Sequence, residues 1–561
     1  MKADCLKPKT ITKTKRMTEP LRVILGKISL FVFLPVISGV MLGFAALPSK
    51  IWYVGFIGFI PLLIAAEKAL DRKKPLLVFT LQVFITTVIV FLYMSVWILQ
   101  SANLGFIIGV VVVIPFVILL VPYILFRKNG SRYAAAYFIA AWLTGEFIQN
   151  YFELGSPFAN FGHNLGAAPK LIQWYSITGA YGGTLWMLTV NFLIFFLGKA
   201  IINKQKDITK KSIFTCSVLV VPVLLSLIMY YSYEEKGRPA EILVVHPSTD
   251  NRDVKYRVNI YELMDIYLDI ILPQLTKNTE YVVLPETAIT NAGWIADYNR
   301  NLVFQHWLQK TTDYPNLKLV TGAVTYESIP DVEKIRGYKK NPGIHFSENY
   351  QTWYHTYNAA LHIEKSRPVQ IRVKEGLVPY QEYTPYPLIM PRLAPVGIDF
   401  QFARREPNRQ VFTAANNRKT AALICYELVY GFKFARAARQ GAEAFFVILN
   451  EGWYTRAQHV PYQFLQLSVV RAIENRRSIA HSSNLGISAI INQRGEVLAR
   501  TQSRKGDFLK HQINMNRRPT LASTLGNLPG LTAMAVTLVL LFVEFKHKNS
   551  NKKIHNRGGA I

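Results

Sequence analysis

Long apolar runs dominate the first 233 residues of the chain, and one more lies near the C-terminus. A helix needs about 20 mostly apolar residues to cross the hydrocarbon core of a bilayer. We predict eight such spans, of which the second and fifth are short: Ile28–Leu47, Ile51–Ala66, Leu76–Leu99, Leu104–Phe126, Tyr133–Ile148, Ile177–Leu197, Ile213–Tyr231 and Leu525–Val543.

Basic residues lie in alternate loops between these spans. Clusters occur in the leader, after the second, fourth and sixth spans (72–74, 127–132 and 204–211), and in the C-terminal tail. Cytoplasmic loops of membrane proteins are rich in Lys and Arg. The alternation therefore predicts cytoplasmic termini and a multi-pass protein whose large domain lies on the extracytoplasmic side.

The predicted topology divides the chain into five parts. They are a basic leader (1–27), a seven-span membrane domain (28–233), a catalytic domain (239–519), a final helix (525–545) and a basic tail (546–561). The net charge of +29 would also suit a nucleic-acid-binding protein. Because the basic residues follow the loops rather than one domain face, nucleic acid is not expected as a partner.

The segment 239–519 has the pattern of an α/β domain. Longer helical patterns occur at Ile260–Leu275 and Gln463–Arg476. Short apolar runs rich in Val, Ile and Phe are typical of buried strands. Six such runs are Glu241–His246, Tyr281–Leu284, Lys318–Thr321, Thr420–Ile424, Ala444–Leu449 and Ile487–Ile491. We therefore predict a layered α/β fold for this domain.

The three cysteines, Cys5, Cys216 and Cys425, form no CxxC pair and accompany no His cluster. This spacing argues against a disulfide framework and a structural zinc site. No metal or organic cofactor is indicated. Cys216 lies within an apolar run, so we expect a small buried side chain.

Reactive side chains follow three of the predicted strands or loops. Glu286 comes directly after Tyr281–Leu284 and Pro285, Lys374 begins a segment that carries Glu382, and Cys425 ends the strand Thr420–Ile424. Acyl transfer through a thioester needs a thiolate, a base for its proton and a cation for the oxyanion. This set supplies all three.

The neighbouring polar residues have ordinary structural explanations as well. Glu382 either holds the Lys374 ammonium or forms a surface salt bridge, and Tyr426 and Glu427 either serve the site or pack beneath Cys425. Glu146 lies inside the fifth span, where an ionisable residue is a functional candidate.

These segments resemble the nitrilase superfamily, whose Glu, Lys and Cys form a triad on an αββα sandwich. Such a domain inserted before the last of eight spans resembles, more narrowly, the apolipoprotein N-acyltransferase family. The resemblance covers nearly the whole chain, and the other matching stretches are Gly55–Leu62, Gly155–Gly162, Asn450–Tyr454, Arg471–Asn475 and Ser483–Ser488.

The resemblance implies a catalytic triad of Glu286, Lys374 and Cys425, with auxiliary groups at Glu382, Tyr426 and Glu427. It implies a bacterial inner-membrane acyltransferase with a periplasmic catalytic domain. A phospholipid would donate an acyl chain through a Cys thioester, and the N-terminal diacylglyceryl cysteine of an apolipoprotein would accept it. Tyr256 is the nearest match to a family Trp.

Two other functions are compatible with parts of the pattern. A membrane-anchored amidase or nitrilase would hydrolyse a C–N bond with the same triad, but it needs only an anchor. A transporter or channel with a non-catalytic outer domain would show more polar residues within its spans.

Overall fold

The computed structural model describes residues 19–48, 51–94, 105–249, 254–329, 343–386, 402–405, 408–454 and 459–558. Most of the predicted leader (1–18) and the end of the third predicted span (95–99) lie outside these ranges. All structural statements below concern the described residues.

The N-terminal region is a bundle of apolar helices. Six helical stretches of the described residues are long and apolar enough to cross a membrane, five of them in this region and the sixth at Leu528–Lys548; Phe31–Ala46 and Ala134–Ile148 are shorter apolar helices. This confirms a polytopic helical membrane region. The helices are α1 (Glu19–Ala46), α2 (Ile60–Leu70), α3 (Pro75–Met94), α4 (Gly105–Leu120), α5 (Tyr123–Lys128), α6 (Ala134–Ile148), α7 (Ala180–Ile202) and α8 (Ile208–Ser232).

Three details differ from the sequence prediction. The second span begins as a 3-10 turn at Trp52–Phe56 before α2, and the fourth is divided between α4 and α5 at Pro122. Cys216 is exposed on α8 rather than buried, so that expectation was wrong. A membrane helix is apolar on its lipid-facing side as well as its inner side, so an apolar run does not reveal which residues face protein.

The extramembrane domain contains two β-sheets. One has the order β13-β1-β2-β3-β5-β4 with β6 paired to β5, and the other has the order β12-β11-β10-β9-β8-β7. The strands are β1 (Arg238–His246), β2 (Thr279–Val283), β3 (Lys318–Ser328), β4 (Ile344–Ser347), β5 (Thr352–Glu364), β6 (Arg367–Val373), β7 (Phe412–Thr413), β8 (Lys419–Ile424), β9 (Ala444–Leu449), β10 (Ser478–Ser483), β11 (Ala489–Ile491), β12 (Val497–Arg500) and β13 (Asp507–Met515).

The two sheets face each other across an apolar core, which side chains such as Val244, Val283, Ile424 and Ile448 fill. Helices cover both outer faces: α9 (Ile260–Ile271), α10 (Leu302–Lys310), α11 (Gly431–Arg439) and α12 (Val460–Asn475). Within each sheet the central strands β1–β2–β3 and β8–β9–β10 are parallel. The layers form the αββα sandwich expected for the domain.

The domain packs directly on the membrane region through α12. Arg471 on this helix contacts His163 Nε2 at 2.8 Å, and Glu474 accepts a hydrogen bond from the Ala180 amide at 2.8 Å. The apolar core beneath the second sheet continues into the membrane helices. After β13 the chain returns to the bundle in α13 (Leu528–Gly558).

Candidate active site

Cys425 lies at the turn where β8 ends. It begins a 3-10 helix, Cys425–Val429, and its φ of +48° places it in the left-handed region that L-residues rarely adopt. Strained turns of this kind persist where the surrounding structure fixes them, and they are frequent at active sites. Only 4% of Cys425 is exposed, so a substrate must displace protein or solvent from a closed site to reach the thiol.

Lys374, directly after β6, joins the two predicted carboxylates. Its Nζ donates to Glu286 Oε1 at 2.8 Å and to Glu382 Oε1 at 2.9 Å. Asn358 on β5 donates from Nδ2 to the same two oxygens, at 2.8 and 3.0 Å. Two donors and two acceptors therefore form a closed, buried square, and the structure brings Glu286, Lys374 and Glu382 together.

The charges of this square act on the thiol. Burial raises the pKa of Cys425 well above its usual value, and the Glu286 carboxylate raises it further, while Lys374 opposes both. Burial alone would lower the pKa of Lys374, but Glu286 and Glu382 outweigh it and raise that pKa. At neutral pH the site thus holds a protonated thiol beside an ammonium, and the thiol needs a base to become a nucleophile.

Glu382 differs from Glu286 in its surroundings. Its second oxygen, Oε2, accepts from the Val378 amide at 2.8 Å. Burial raises the pKa of Glu382, and the negative charge of Glu286 adds to the increase. Of the two carboxylates, Glu286 has the larger effect on the pKa of Cys425.

Glu427 lies in the same 3-10 turn as Cys425 and is a fully buried carboxylate. Arg372 donates to it through two nitrogens at 2.6 and 3.0 Å, and the amides of Ile424 and Glu375 donate at 3.0 and 2.9 Å. Burial alone would raise the pKa of Glu427, but Arg372 and then Lys433 hold it far below its usual value. Glu427 thereby ties the Cys425 turn to the segment that carries Lys374.

The membrane region contributes one wall of the site. The Tyr426 hydroxyl donates to the Gly155 carbonyl at 3.2 Å, in the loop after α6. The Tyr383 hydroxyl donates to the Glu153 carbonyl at 2.8 Å, and the Tyr386 amide donates to Glu153 Oε2 at 2.6 Å. The residues beside Cys425 and Glu382 are therefore held against a loop of the membrane bundle.

The turn that carries Glu286 rests on Gly322 of β3. A Cβ at Gly322 would lie 2.5 Å from Glu286 Cα and 2.4 Å from the Thr287 amide nitrogen. Both are backbone atoms, which yield only if the turn itself moves. The close approach explains why glycine occupies this strand position.

Gly322→Ala is therefore expected to displace Glu286 and slow acylation of Cys425 by about tenfold to a hundredfold, as misplacement of a catalytic group by about 1 Å does. Gly506→Ala is the matched control, because a Cβ there makes only ordinary van der Waals contacts, the nearest with the Pro247 carbonyl at 3.5 Å. Acylation rates measured by intact mass spectrometry compare the two. Equal rates would show that the Gly322 contact does not position Glu286.

Three buried residues near the site were not among the predicted site residues, although Glu451 lies in the stretch Asn450–Tyr454 that carries part of the resemblance. Asn358 lies on a strand without a motif, and Lys255 lies in the loop after β1. Glu451 follows β9 beside the Cys425 turn. Burial raises its pKa to about 7, and the Ser483 hydroxyl donates to its Oε2. Glu451 follows β9 and Cys425 follows β8, and these two strands are parallel neighbours. Because the carboxyl ends of neighbouring parallel strands meet at one edge of a sheet, the position of Glu451 after β9 was a clue to its place near Cys425.

The remaining candidates lie elsewhere or at the rim. Glu146 is buried at the end of α6, where Trp142 Nε1 and the Phe161 amide donate to it at 3.1 and 3.0 Å. Tyr256 is 39% exposed, and the Lys255 Nζ lies 5.8 Å from its ring centroid. Among the residues that the structure describes, no group of three or more His, Cys, Asp or Glu side chains is arranged to hold a metal ion.

Two family models match the chain. Residues 38–193 match the apolipoprotein N-acyltransferase N-terminal domain, and residues 260–521 match carbon-nitrogen hydrolase. Together they account for more than half of the 561 residues. The chain belongs to the apolipoprotein N-acyltransferase family.

Curated members of this family match across almost the full length. The apolipoprotein N-acyltransferase of Chlorobaculum tepidum is 25% identical over 91% of this chain and 96% of its own. That of Pasteurella multocida is 22% identical over 91% and 94%. The positions of Glu286, Lys374 and Cys425 fall within the range that the carbon-nitrogen hydrolase model matches.

Solved structures match about half of this chain. Nit3 of Saccharomyces cerevisiae, a nitrilase-superfamily protein, is 13% identical, with a TM-score of 0.33 over 49% of this chain and 90% of its own. An amidase from Nesterenkonia sp. is 14% identical, with a TM-score of 0.33 over 50% and 93%.

Proposed function

We propose that the chain transfers a fatty acyl chain from a phospholipid, through a thioester on Cys425, to the α-amino group of the N-terminal diacylglyceryl cysteine of an apolipoprotein. The observation that carries the proposal is the buried square of Glu286, Lys374, Glu382 and Asn358 acting on the Cys425 thiol against a membrane loop. Relatives named apolipoprotein N-acyltransferase support the same substrate class.

In the first half-reaction Glu286 takes the proton from the Cys425 thiol. The thiolate attacks the carbonyl carbon of the phospholipid ester, and the charge that develops on the carbonyl oxygen is stabilised by the Lys374 ammonium. The C–O bond then breaks. The lysophospholipid alcohol leaves with the proton from Glu286, and the acyl chain remains on Sγ.

In the second half-reaction the α-amine of the apolipoprotein attacks the thioester carbonyl. Glu286 accepts the proton that the amine loses as the N–C bond forms. The C–S bond breaks, and the proton returns to Cys425 as the thiol. The products are an N-acylated lipoprotein and the starting enzyme, so the reaction is ping-pong.

The bundle of membrane helices suits a reaction in which both substrates, the phospholipid and the apolipoprotein, are held in a bilayer. The Gly155 and Glu153 contacts place the residues beside Cys425 and Glu382 next to the bundle, where a lipid enters laterally. The alternating basic loops support an inner-membrane location with the catalytic domain on the periplasmic side and both termini in the cytoplasm. An amidase has no need of these contacts.

Transfer to a defined acceptor tests the proposal. Protein in phospholipid vesicles is mixed with a synthetic peptide that begins with S-diacylglyceryl cysteine, and the peptide mass is followed. The free-amine peptide is expected to gain one acyl chain. The N-acetylated control peptide is expected to remain unchanged, because its amide nitrogen is not nucleophilic. Release of free fatty acid without peptide acylation, or cleavage of the amide in the control, would favour the hydrolase alternative instead.

A further inference from the structure

Lys255 is a buried lysine that contacts the backbone of Glu286, the residue whose carboxylate contacts Lys374. It is fully buried, and its Nζ donates to the Glu286 backbone carbonyl at 2.9 Å and to the Thr287 hydroxyl at 2.8 Å. Its contacts are therefore with a carbonyl and a hydroxyl of the turn. Lys374 binds the side-chain carboxylate of the same Glu286. One lysine therefore contacts the backbone carbonyl of Glu286 and another contacts its carboxylate.

The turn held by Lys255 is strained. Thr287 has a φ of +48°, in the left-handed region, although it is β-branched. Such a conformation is strained and persists only when its surroundings impose it. Gly322 supports the turn from one side by close backbone contact, and Lys255 binds its carbonyl and hydroxyl.

A lysine in this place is costly. Burial lowers the pKa of Lys255 to about 7, with Glu286 acting in the opposite direction. Buried charged groups are rarely kept where an apolar side chain of similar volume would stabilise the core as well. The hydrogen bonds to the Glu286 turn offer a reason for a buried amine that core packing alone does not.

We infer that Lys255 is a positioning residue, which holds the Glu286–Thr287 turn so that the Glu286 carboxylate meets Lys374 and the Cys425 thiol. The inference rests on the proposed function for its kinetic consequence. Its structural consequence, a turn fixed by the Lys255 amine, is independent of any substrate.

Lys255→Met tests the inference in the full-length protein. We expect the maximal rate of Cys425 acylation to fall by about tenfold, as loss of orientation does, at an unchanged half-saturating phospholipid concentration. Hydrogen–deuterium exchange read by peptide mass is expected to accelerate in 284–289 and not in the remainder of the domain.

Lys318→Met is the matched control, because Lys318 is also a buried lysine but lies toward the amino ends of the strands, 3.6 Å from Glu280. Its exchange in 284–289 and its acylation rate should equal those of the parent protein. Thr287→Val removes one of the two contacts. The double variant Lys255→Met/Thr287→Val should show no larger loss of acylation rate than Lys255→Met alone, since the effects of contacts in one network are not additive.

The possible outcomes separate the positioning role of Lys255 from the proposed acyl-transfer function. Unchanged exchange in 284–289 of Lys255→Met would overturn the positioning role, and so would an equal acylation rate of Lys255→Met and a parent protein that is itself acylated. A parent protein that is never acylated, together with accelerated exchange in Lys255→Met, would reject the proposed function and leave the positioning role standing. Equal effects of Lys318→Met would reduce the result to general destabilisation and also overturn the inference.

Discussion

Glu286→Gln is expected to slow acylation of Cys425 by about 10²–10⁴-fold, which is the usual contribution of a general base. The amide keeps the shape of the side chain but cannot take the thiol proton. Burial raises the pKa of Cys425, so little thiolate forms without the base. The residual rate of Glu286→Gln should therefore rise with pH as the thiol ionises to solvent. Single-turnover acylation followed by intact mass over a pH series measures both effects.

Glu382→Gln is the matched control for this experiment. Glu382 shares Lys374 and Asn358 with Glu286, but its other oxygen is occupied by the Val378 amide, and it has the smaller effect on the pKa of Cys425. We expect a loss of about tenfold, through the orientation of Lys374, as for other positioning groups. Equal losses in the two variants, with the same pH dependence, would contradict the assignment of Glu286 as the base.

Arg372→Met is expected to lower stability by about 3–5 kcal/mol, because it removes the nearer partner of a buried carboxylate and leaves the Glu427 charge facing Lys433 at 3.5 Å. Side-chain exposure is 1% for Arg372 and 0% for Glu427. The variant should unfold at a clearly lower Tm in a thermal scan in detergent. It should also lose acylation, because Glu427 holds the Lys374 segment through the Glu375 and Gly376 amides.

Two further variants separate stability from activity. Arg372→Met combined with Glu427→Leu removes both charges and should regain most of the Tm, as apolar replacements of buried pairs do. It should stay inactive, since the amides of Glu375 and Gly376 have lost their acceptor. Arg405→Met breaks the half-exposed pair with Glu327 at 2.7 Å. Such a pair contributes about 0–1 kcal/mol, so a Tm loss equal to that of Arg372→Met would refute the argument from burial.

The sequence predicted the parts of the site that follow apolar strands. Cys425 comes directly after β8, and Glu286 follows β2 after Leu284 and Pro285; the apolar runs of both strands are recognisable. The two strands belong to different sheets, whose inner faces share one apolar core, so the two residues approach each other across the sandwich. The structure brings Glu286, Lys374 and Glu382 into direct contact, and Cys425 lies within their electrostatic reach. Their catalytic roles stay predictions.

Residues whose contribution depends on burial were not predictable in the same way. Asn358 lies on β5, which begins with aromatic and polar residues rather than an apolar run, and its partner Glu286 is 72 positions away. Strand β10 reads as polar, Ser478–Ser483, yet every residue is buried between β9 and β11. Two of its serines donate hydrogen bonds to strands of the other sheet: Ser478 Oγ to the Asn514 carbonyl at 3.0 Å and Ser482 Oγ to the Val245 carbonyl at 2.9 Å.

Lys255 is a charged residue whose burial could not be predicted from the sequence either. In sequence it is one more lysine in a loop, and loops are normally exposed. Its burial follows from the position of the Glu286 turn above Gly322, a contact between distant segments. Local pattern predicts elements and their ends, whereas the partners of a buried polar group depend on the tertiary arrangement.

The acyl adduct on Cys425 is the most direct test of the account. Purified protein is incubated with phospholipid without an acceptor, and its intact mass is measured before and after hydroxylamine, which cleaves thioesters. The parent protein and Cys216→Ser are expected to gain the mass of one acyl chain that hydroxylamine removes, and Cys425→Ala is expected to gain none. No adduct on the parent protein with any phospholipid, or an adduct that persists in Cys425→Ala, would contradict the thioester mechanism.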